Sequence, residues 1–130
     1  NLIEKSNISA FLSKVPKHIL VVLDEAYNEY LRDEDKSIAF NWLSKYKNLL
    51  ISRSFSKAHG LAGLRIGYGV WSKEVINLMN RVRQPFNVNS IGQIAAIASL
   101  DDDDFIIKSR LINDQGRLQL EEVFNELKIE

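Results

Sequence analysis

The segment SRSFSKAHGLAGLRIGYG, residues 52–69, contains a lysine inside a glycine-rich stretch and is the most informative part of this sequence. It places Lys57 two residues after Phe55, and it then continues through four glycines and Arg65. Glycines at this density are typical of a tight, closely packed turn. A charged amine costs free energy in such a place unless it has a partner. Taken alone, Lys57 fits a surface lysine, and only the residues around it can indicate a binding or reactive site.

Three short apolar runs around this segment predict the strands of a sheet. They cover residues 19–23, 48–53 and 65–71, and the first is uninterrupted, which is typical of a strand buried on both faces in a parallel sheet. Helical spacing of apolar residues predicts the intervening elements. These are residues 9–15, 37–45, 73–83 and 89–100, and a long helix that begins at the acids 101–104. The alternation predicts an α/β fold with a mostly parallel sheet flanked by helices.

Composition restricts the classes of function. Seventeen basic residues balance seventeen acidic ones in 130 residues, so the chain is not built to attract nucleic acid or an anionic membrane. There is no cysteine, which excludes a disulfide scaffold and thiolate metal sites, and His18 and His59 lack metal-ligand spacing. No apolar run is long enough to span a bilayer and no signal peptide precedes the first helix, so we expect a cytoplasmic protein. The opening without methionine leads us to expect a fragment.

Polar side chains follow the predicted strands, where open α/β sheets bind their ligands. If the strands are neighbours, these side chains converge on one region: Asp24 and Tyr27 after the first strand, Ser54, Ser56 and Lys57 after the second, and Arg65 at the start of the third.

The chemistry of this set points to one cofactor. Two hydroxyls, a guanidinium and backbone N–H groups suit a phosphate. A lysine on a partly desolvated turn can attack a carbonyl, and Asp24 at a strand end needs a cationic partner such as a protonated pyridine nitrogen. Phosphate, aldehyde and pyridinium occur together in pyridoxal 5′-phosphate (PLP), whose usual protein contacts are a lysine and an acid.

The quoted motifs also resemble a known family. LDEAY at 23–27 and SFSKAHGLAGLRIGY at 54–68 are similar to the core of the fold-type-I aminotransferases. With RQPFNVNSIGQIAA at 83–96, the resemblance is closest to the histidinol-phosphate aminotransferases and extends over essentially the whole chain. It implies that residues 1–102 are part of the PLP-binding large domain. Residues 103–130 would then be the interdomain helix and the start of a truncated small C-terminal domain.

The resemblance also implies a role for each site residue. Lys57 would bind the cofactor covalently and later act as general base and acid, Asp24 would pair with the pyridine nitrogen, and Tyr27 would donate a hydrogen bond to the phenolic oxygen. The cofactor phosphate would be held by Ser54, Ser56 and Arg65.

The implied reaction is PLP-dependent transamination of histidinol phosphate with 2-oxoglutarate, giving imidazole acetol phosphate and glutamate, in histidine biosynthesis and by a homodimer. Threonine-phosphate decarboxylase, aromatic-amino-acid aminotransferase and a non-catalytic cofactor-binding fragment remain as alternatives. Other family parts are expected outside this chain, among them a glycine-rich phosphate-binding segment and the arginine that binds the substrate carboxylate. We therefore expect the isolated chain to be inactive.

Simpler interpretations stay open for single residues. Asp24 could cap the turn after its strand, Ser56 could stabilise its own turn, and Arg65 could form an ion pair with a carboxylate. His59 fits a wall residue better than a catalyst, and the acids 101–104 fit a helix start better than a metal site. The glycines do not form G-x-G-x-x-G, so dinucleotide binding is disfavoured.

Overall fold

A three-stranded sheet organises the part of the chain that the computed structural model describes, residues 2–36 and 38–129. Helices and short 3-10 turns alternate with its strands. In chain order the elements are α1 (Lys5–Lys14), β1 (Val21–Asp24), a 3-10 turn (Asn28–Tyr30), α2 (Ala39–Leu43), β2 (Leu49–Ser54), a second 3-10 turn (Ala62–Leu64), β3 (Gly67–Val70), α3 (Lys73–Val82), α4 (Ser90–Leu100) and α5 (Asp103–Leu127). The predicted α/β class is confirmed, and each predicted helix has a counterpart. Position 37, in the prediction for α2, lies outside the described residues.

The sheet has the order β1-β2-β3 and is mixed. β1 runs parallel to β2, with Asp24 opposite Ser52, whereas β3 runs antiparallel to β2, with Gly67 opposite Ser54. A parallel return requires a crossover, usually a helix, and residues 55–66 between β2 and β3 contain only a short 3-10 turn. The antiparallel return places the start of β3 beside the end of β2, at the edge where β1 also ends.

The core lies between the sheet and the first two helices. Its buried members are Leu12 of α1, Ala39 and Trp42 of α2, and Leu49 and Ile51 of β2. Leu49 and Ile51 are fully buried because they lie in the cluster that α1 and α2 cover on this face of the sheet. Burying a side chain of this size contributes roughly 1.5–3 kcal/mol, so β2 is the fixed element to which the polar residues of this edge are attached.

Other apolar surface stays exposed. The prediction that residues 19–23 form a strand buried on both faces is wrong for this chain, because the strand begins at Val21 and Val22 is 61% exposed. The long helix α5 has no buried residue along its 25 residues. Its start agrees with the sequence, since the Asp102 carboxylate accepts a hydrogen bond from the Phe105 N–H at 3.1 Å. Within the described ranges, no helix has the length and apolar character needed to cross a membrane.

Candidate active site

The loop between β2 and β3 is closed by its own backbone hydrogen bonds. The Phe55 N–H donates to the Ile66 carbonyl at 3.2 Å, and the Leu61 N–H donates to the Phe55 carbonyl at 2.9 Å. At the tip, the Gly60 N–H donates to the Lys57 carbonyl at 2.9 Å. Gly60 has a φ of +70°, a left-handed conformation that glycine adopts without strain. The loop therefore holds the backbone of Lys57 in a defined turn.

Small and aromatic side chains anchor this loop and leave the lysine outside. Phe55 is only 4% exposed and packs against His59, with 4.8 Å between the ring centroids. Ala58 is also buried, whereas Lys57 is exposed. His59 is a wall residue, since its Nδ1 lies 2.6 Å from the Ser99 Oγ of α4. The glycine-rich turn thus buries Phe55 and Ala58 on either side of Lys57 and presents the lysine at the surface of the sheet edge.

Lys57 lies over Tyr27, which comes from the segment after β1. The lysine Nζ is 5.2 Å from the centroid of the tyrosine ring, a distance typical of a cation–π contact. Tyr27 is 59% exposed, so its hydroxyl edge and the lysine amine are accessible from the same side. The structure thus brings together two residues that lie 30 positions apart in the sequence.

Asp24, at the end of β1, is exposed and is held by its own turn. Its Oδ1 accepts a hydrogen bond from the Ala26 N–H at 3.0 Å, which is the capping role that the sequence left open. In the part of the chain that the structure describes, no cation lies within ion-pair distance of this carboxylate. Asp24 therefore keeps its charge available for a cationic group of a ligand.

The hydroxyl and guanidinium groups lie on either side of the β2–β3 junction. The Ser54 Oγ accepts a hydrogen bond from the Ser56 N–H at 3.0 Å, which fixes the turn directly before Lys57. Arg65 has left-handed backbone angles, φ 53° and ψ 54°, and donates from Nη1 to the Ala62 carbonyl at 3.0 Å. For residues 2–36 and 38–129 the ion pair considered for Arg65 is absent. Its exposed guanidinium therefore retains donors for an anion.

Sequence reasoning missed the charged group behind this edge. Arg53 donates two hydrogen bonds to the Glu25 Oε2, from Nε at 3.0 Å and from Nη2 at 2.7 Å. Glu29 lies 3.6 Å away on the same guanidinium. Burial lowers the pKa of Arg53, but the hydrogen bond and the charge of Glu25 outweigh it, and the net pKa is raised. No local signal in the sequence pairs these two residues, because their contact depends on how β1 and β2 are aligned.

Asn89 connects the site to α4. Its side-chain amide donates to the Leu64 carbonyl at 2.9 Å, and its Oδ1 accepts from the Gly92 N–H at 2.7 Å. The same side chain therefore caps α4 and holds the residue that precedes Arg65.

The predicted residues share one edge of the sheet, where Asp24, Tyr27, Lys57 and Arg65 are exposed. A groove of about 710 Å³ lies beside β1 and is lined by Asp24 and Tyr27 together with residues of α1 and of the segment before it. Lys57, Ser54 and Arg65 are not part of its wall. The predicted catalytic residues therefore lie on an exposed surface beside this groove.

Known proteins resemble the chain over almost its full length. The family model described as aminotransferase class I and II matches residues 2–128. The histidinol-phosphate aminotransferase of Methylobacillus flagellatus is 60% identical over 121 residues, which are 93% of this chain and 33% of that protein. Histidinol-phosphate aminotransferase 1 of Cupriavidus pinatubonensis is 54% identical over 95% of this chain and 33% of its own length. The chain thus spans about a third of the length of these relatives.

Two solved structures are also similar to the chain over most of its length. Histidinol-phosphate aminotransferase from Sinorhizobium meliloti, in complex with pyridoxal 5′-phosphate, superposes with a TM-score of 0.89 at 32% identity, covering 97% of this chain and 34% of that chain. L-threonine-O-3-phosphate decarboxylase from Porphyromonas gingivalis superposes with a TM-score of 0.71 at 29% identity, covering 82% of this chain and 33% of its own.

Proposed function

Because the chain belongs to the aminotransferase class I and II family, we propose that it forms the cofactor-binding middle part of a PLP-dependent aminotransferase. The reaction is the transfer of the amino group between histidinol phosphate and 2-oxoglutarate, carried out by a cytoplasmic homodimer. The observation that carries the proposal is the position of the Lys57 amine, 5.2 Å from the Tyr27 ring centroid, at the edge that also presents Asp24 and Arg65.

The residues at this edge fit the three functional groups of PLP. An exposed lysine amine suits the aldehyde, and the Asp24 carboxylate, without a cationic partner in the described chain, suits the pyridinium nitrogen. The Arg65 guanidinium retains donors for the phosphate, and the hydroxyls of Ser54 and Ser56 stand on the neighbouring strand end. The pyridinium and the phosphate therefore each have a protein group of opposite charge, and the aldehyde has an amine that can react with it.

The protein side of the mechanism follows from these positions. PLP, when bound, supplies the electron sink for the pair released at the substrate Cα. Asp24 would hold the proton on the pyridine nitrogen, and Tyr27 would donate a hydrogen bond to the phenolic oxygen. Lys57 Nζ would take the proton from the substrate Cα and deliver it to the cofactor carbon C4′, as general base and then general acid. Ser54, Ser56 and Arg65 would hold the phosphate and so keep the ring oriented during both proton transfers.

The choice of substrate is supported by the relatives. Two of them are histidinol-phosphate aminotransferases at 60% and 54% identity, and the structure with a TM-score of 0.89 has the same description. Threonine-phosphate decarboxylation is the second candidate, since that type of enzyme superposes with a TM-score of 0.71. For the domain division we retain 1–102 as large domain and 103–130 as interdomain helix with the start of the small domain. The start of α5 at Asp103, and the lack of buried residues along it, support this division.

Borohydride trapping tests the cofactor claim. The complete protein is mixed with PLP, reduced and digested, and the labelled peptide is located by mass spectrometry. We expect the label on Lys57 and its loss in Lys57→Ala. Lys45→Ala is a matched control, because Lys45 Nζ also lies close to a tyrosine ring, 5.1 Å from the Tyr46 centroid. Lys45 precedes the start of β2, whereas Lys57 follows its end. Labels scattered over surface lysines of the complete protein would contradict the proposal.

Product analysis then separates the two reactions. With histidinol phosphate and 2-oxoglutarate we expect glutamate to accumulate, and with threonine phosphate we expect no release of carbon dioxide. The opposite result would assign the decarboxylase. The isolated chain 1–130 should produce neither, because its site is an open surface; turnover by this chain alone would refute that expectation.

A further inference from the structure

The ion pair between Arg53 and Glu25 lies directly behind the site. Glu25 follows Asp24 in the chain, and its N–H donates to the Ser52 carbonyl at 2.9 Å, so it extends the pairing of β1 with β2 by one residue. Arg53 belongs to β2 and precedes Ser54. The pair therefore joins the strand end that presents Asp24 to the strand end that presents Lys57.

The pair is buried and has several further contacts. The side chains of Glu25 and Arg53 are 5% and 16% exposed. The guanidinium also lies 4.9 Å from the centroid of the Phe40 ring and 3.6 Å from a Glu29 carboxylate oxygen. Removing two charges from water is expensive, and an apolar pair of similar size is often as stable or more stable. Stability alone is therefore a weak reason for an ion pair at this position.

The geometry indicates what the pair does instead. Tyr27 is largely exposed and lies between Glu25 and Glu29 in the chain, and Arg53 contacts both acids. The short segment that carries Asp24 and Tyr27 is thus fastened at two points to one guanidinium on the central strand. A lysine could not replace this fork, because it offers a point charge in place of several donors in a fixed plane.

We propose that Arg53 is a positioning residue that orients Asp24 and Tyr27 through Glu25. The proposal rests on the function proposed above, because it concerns how these two residues meet the cofactor ring. When Arg53 is lost, residues 25–29 lose their side-chain attachment to β2, although the backbone of Glu25 stays paired with Ser52, and the Tyr27 hydroxyl no longer reaches the phenolic oxygen. A hydrogen bond donated to that oxygen stabilises the more negative, deprotonated form of the lysine–cofactor adduct. Losing it raises the pKa of the adduct.

The test uses the complete protein loaded with PLP. In Arg53→Met we expect the midpoint of the pH-dependent absorbance of the bound cofactor to rise by on the order of one unit, the effect of one lost hydrogen bond to a charged group. We expect kcat to fall by about tenfold or more, with a smaller change in KM. Arg117→Met is the matched control: it removes an arginine from an exposed pair, with Nη1 2.6 Å from the Glu121 Oε1 on α5, and should change neither quantity.

Two further variants guard against simple unfolding. Arg53→Lys keeps a positive charge without the fork and should show a partial shift in the same direction. The double variant Arg53→Met with Glu25→Met removes one of the two carboxylates that Arg53→Met leaves without a cation, so it should unfold at a higher temperature than Arg53→Met and still show the shifted midpoint. Unchanged midpoints and rates in folded variants would overturn the proposal. A wild-type protein without cofactor absorbance would instead refute the proposed function.

Discussion

Gly67→Ala should weaken cofactor binding through the packing of two strands. Gly67 is the first residue of β3 and is paired with Ser54 at the end of β2. A Cβ at this position would lie 2.7 Å from the Arg53 carbonyl oxygen and 3.6 Å from the Ser54 Cα. The nearest atom is backbone of the central strand, so no flexible side chain can move aside.

The clash sets the size of the effect. An ordinary contact begins near 3.4 Å, so β3 has to move away from β2 by roughly 0.7 Å, and overpacking of this kind costs about 1–3 kcal/mol. The move separates Arg65 from Ser54 and Ser56, which together hold the phosphate in the proposed site. A loss of about 1.4 kcal/mol from the phosphate contacts is a factor of ten in the dissociation constant, so we expect affinity for PLP to fall by roughly tenfold.

Gly69→Ala is the matched control in the same strand. Its Cβ would lie 3.6 Å from the Ile51 carbonyl oxygen and 3.7 Å from the Leu50 Cδ1, which are ordinary contacts. Titration of the complete protein with PLP, followed by absorbance, measures both affinities, and thermal unfolding reports the strain. If Gly67→Ala binds PLP as tightly as Gly69→Ala, then the spacing of β2 and β3 does not set the phosphate site, and the reasoning fails.

Two further predictions concern helix starts. Asn89→Ala removes the cap of α4 and the hydrogen bond to the Leu64 carbonyl, so it should cost about 0.5–2 kcal/mol in urea unfolding and raise the Kd for PLP; an unchanged Kd would separate Asn89 from the phosphate site. The second prediction concerns Glu74 at the start of α3: hydrogen bonds from the backbone N–H of Glu74 and then from the Ser72 hydroxyl lower the pKa of its carboxyl below the usual 4.5. The ionised carboxylate therefore stabilises α3 above pH 4.5, and this stabilisation is lost as the pH falls through the lowered pKa. The difference in Tm between wild type and Glu74→Gln should therefore shrink on acidification, and a difference independent of pH would contradict this.

Much of the architecture could be predicted from local sequence. Asp102 and the acids after it predicted the start of α5, and the apolar run before Arg53 predicted β2, because caps and apolar periodicity act over a few residues. The burial of the first strand could not be predicted in the same way. Whether Val22 is covered depends on elements far away in sequence or outside these 130 residues, not on its neighbours in the chain.

The candidate site also has features that local sequence predicts and features that depend on long-range contacts. The sequence predicts which residues carry the chemistry, because the motif around Lys57 and Arg65 and the acid after the first apolar run are local patterns. Their position on a common edge follows from the sheet topology, which no local pattern contains. The short connection between β2 and β3 forces an antiparallel return, and this return brings Arg65 to the edge where β1 and β2 end. The pairing of Arg53 with Glu25 has the same origin, because strand register is set by long-range packing.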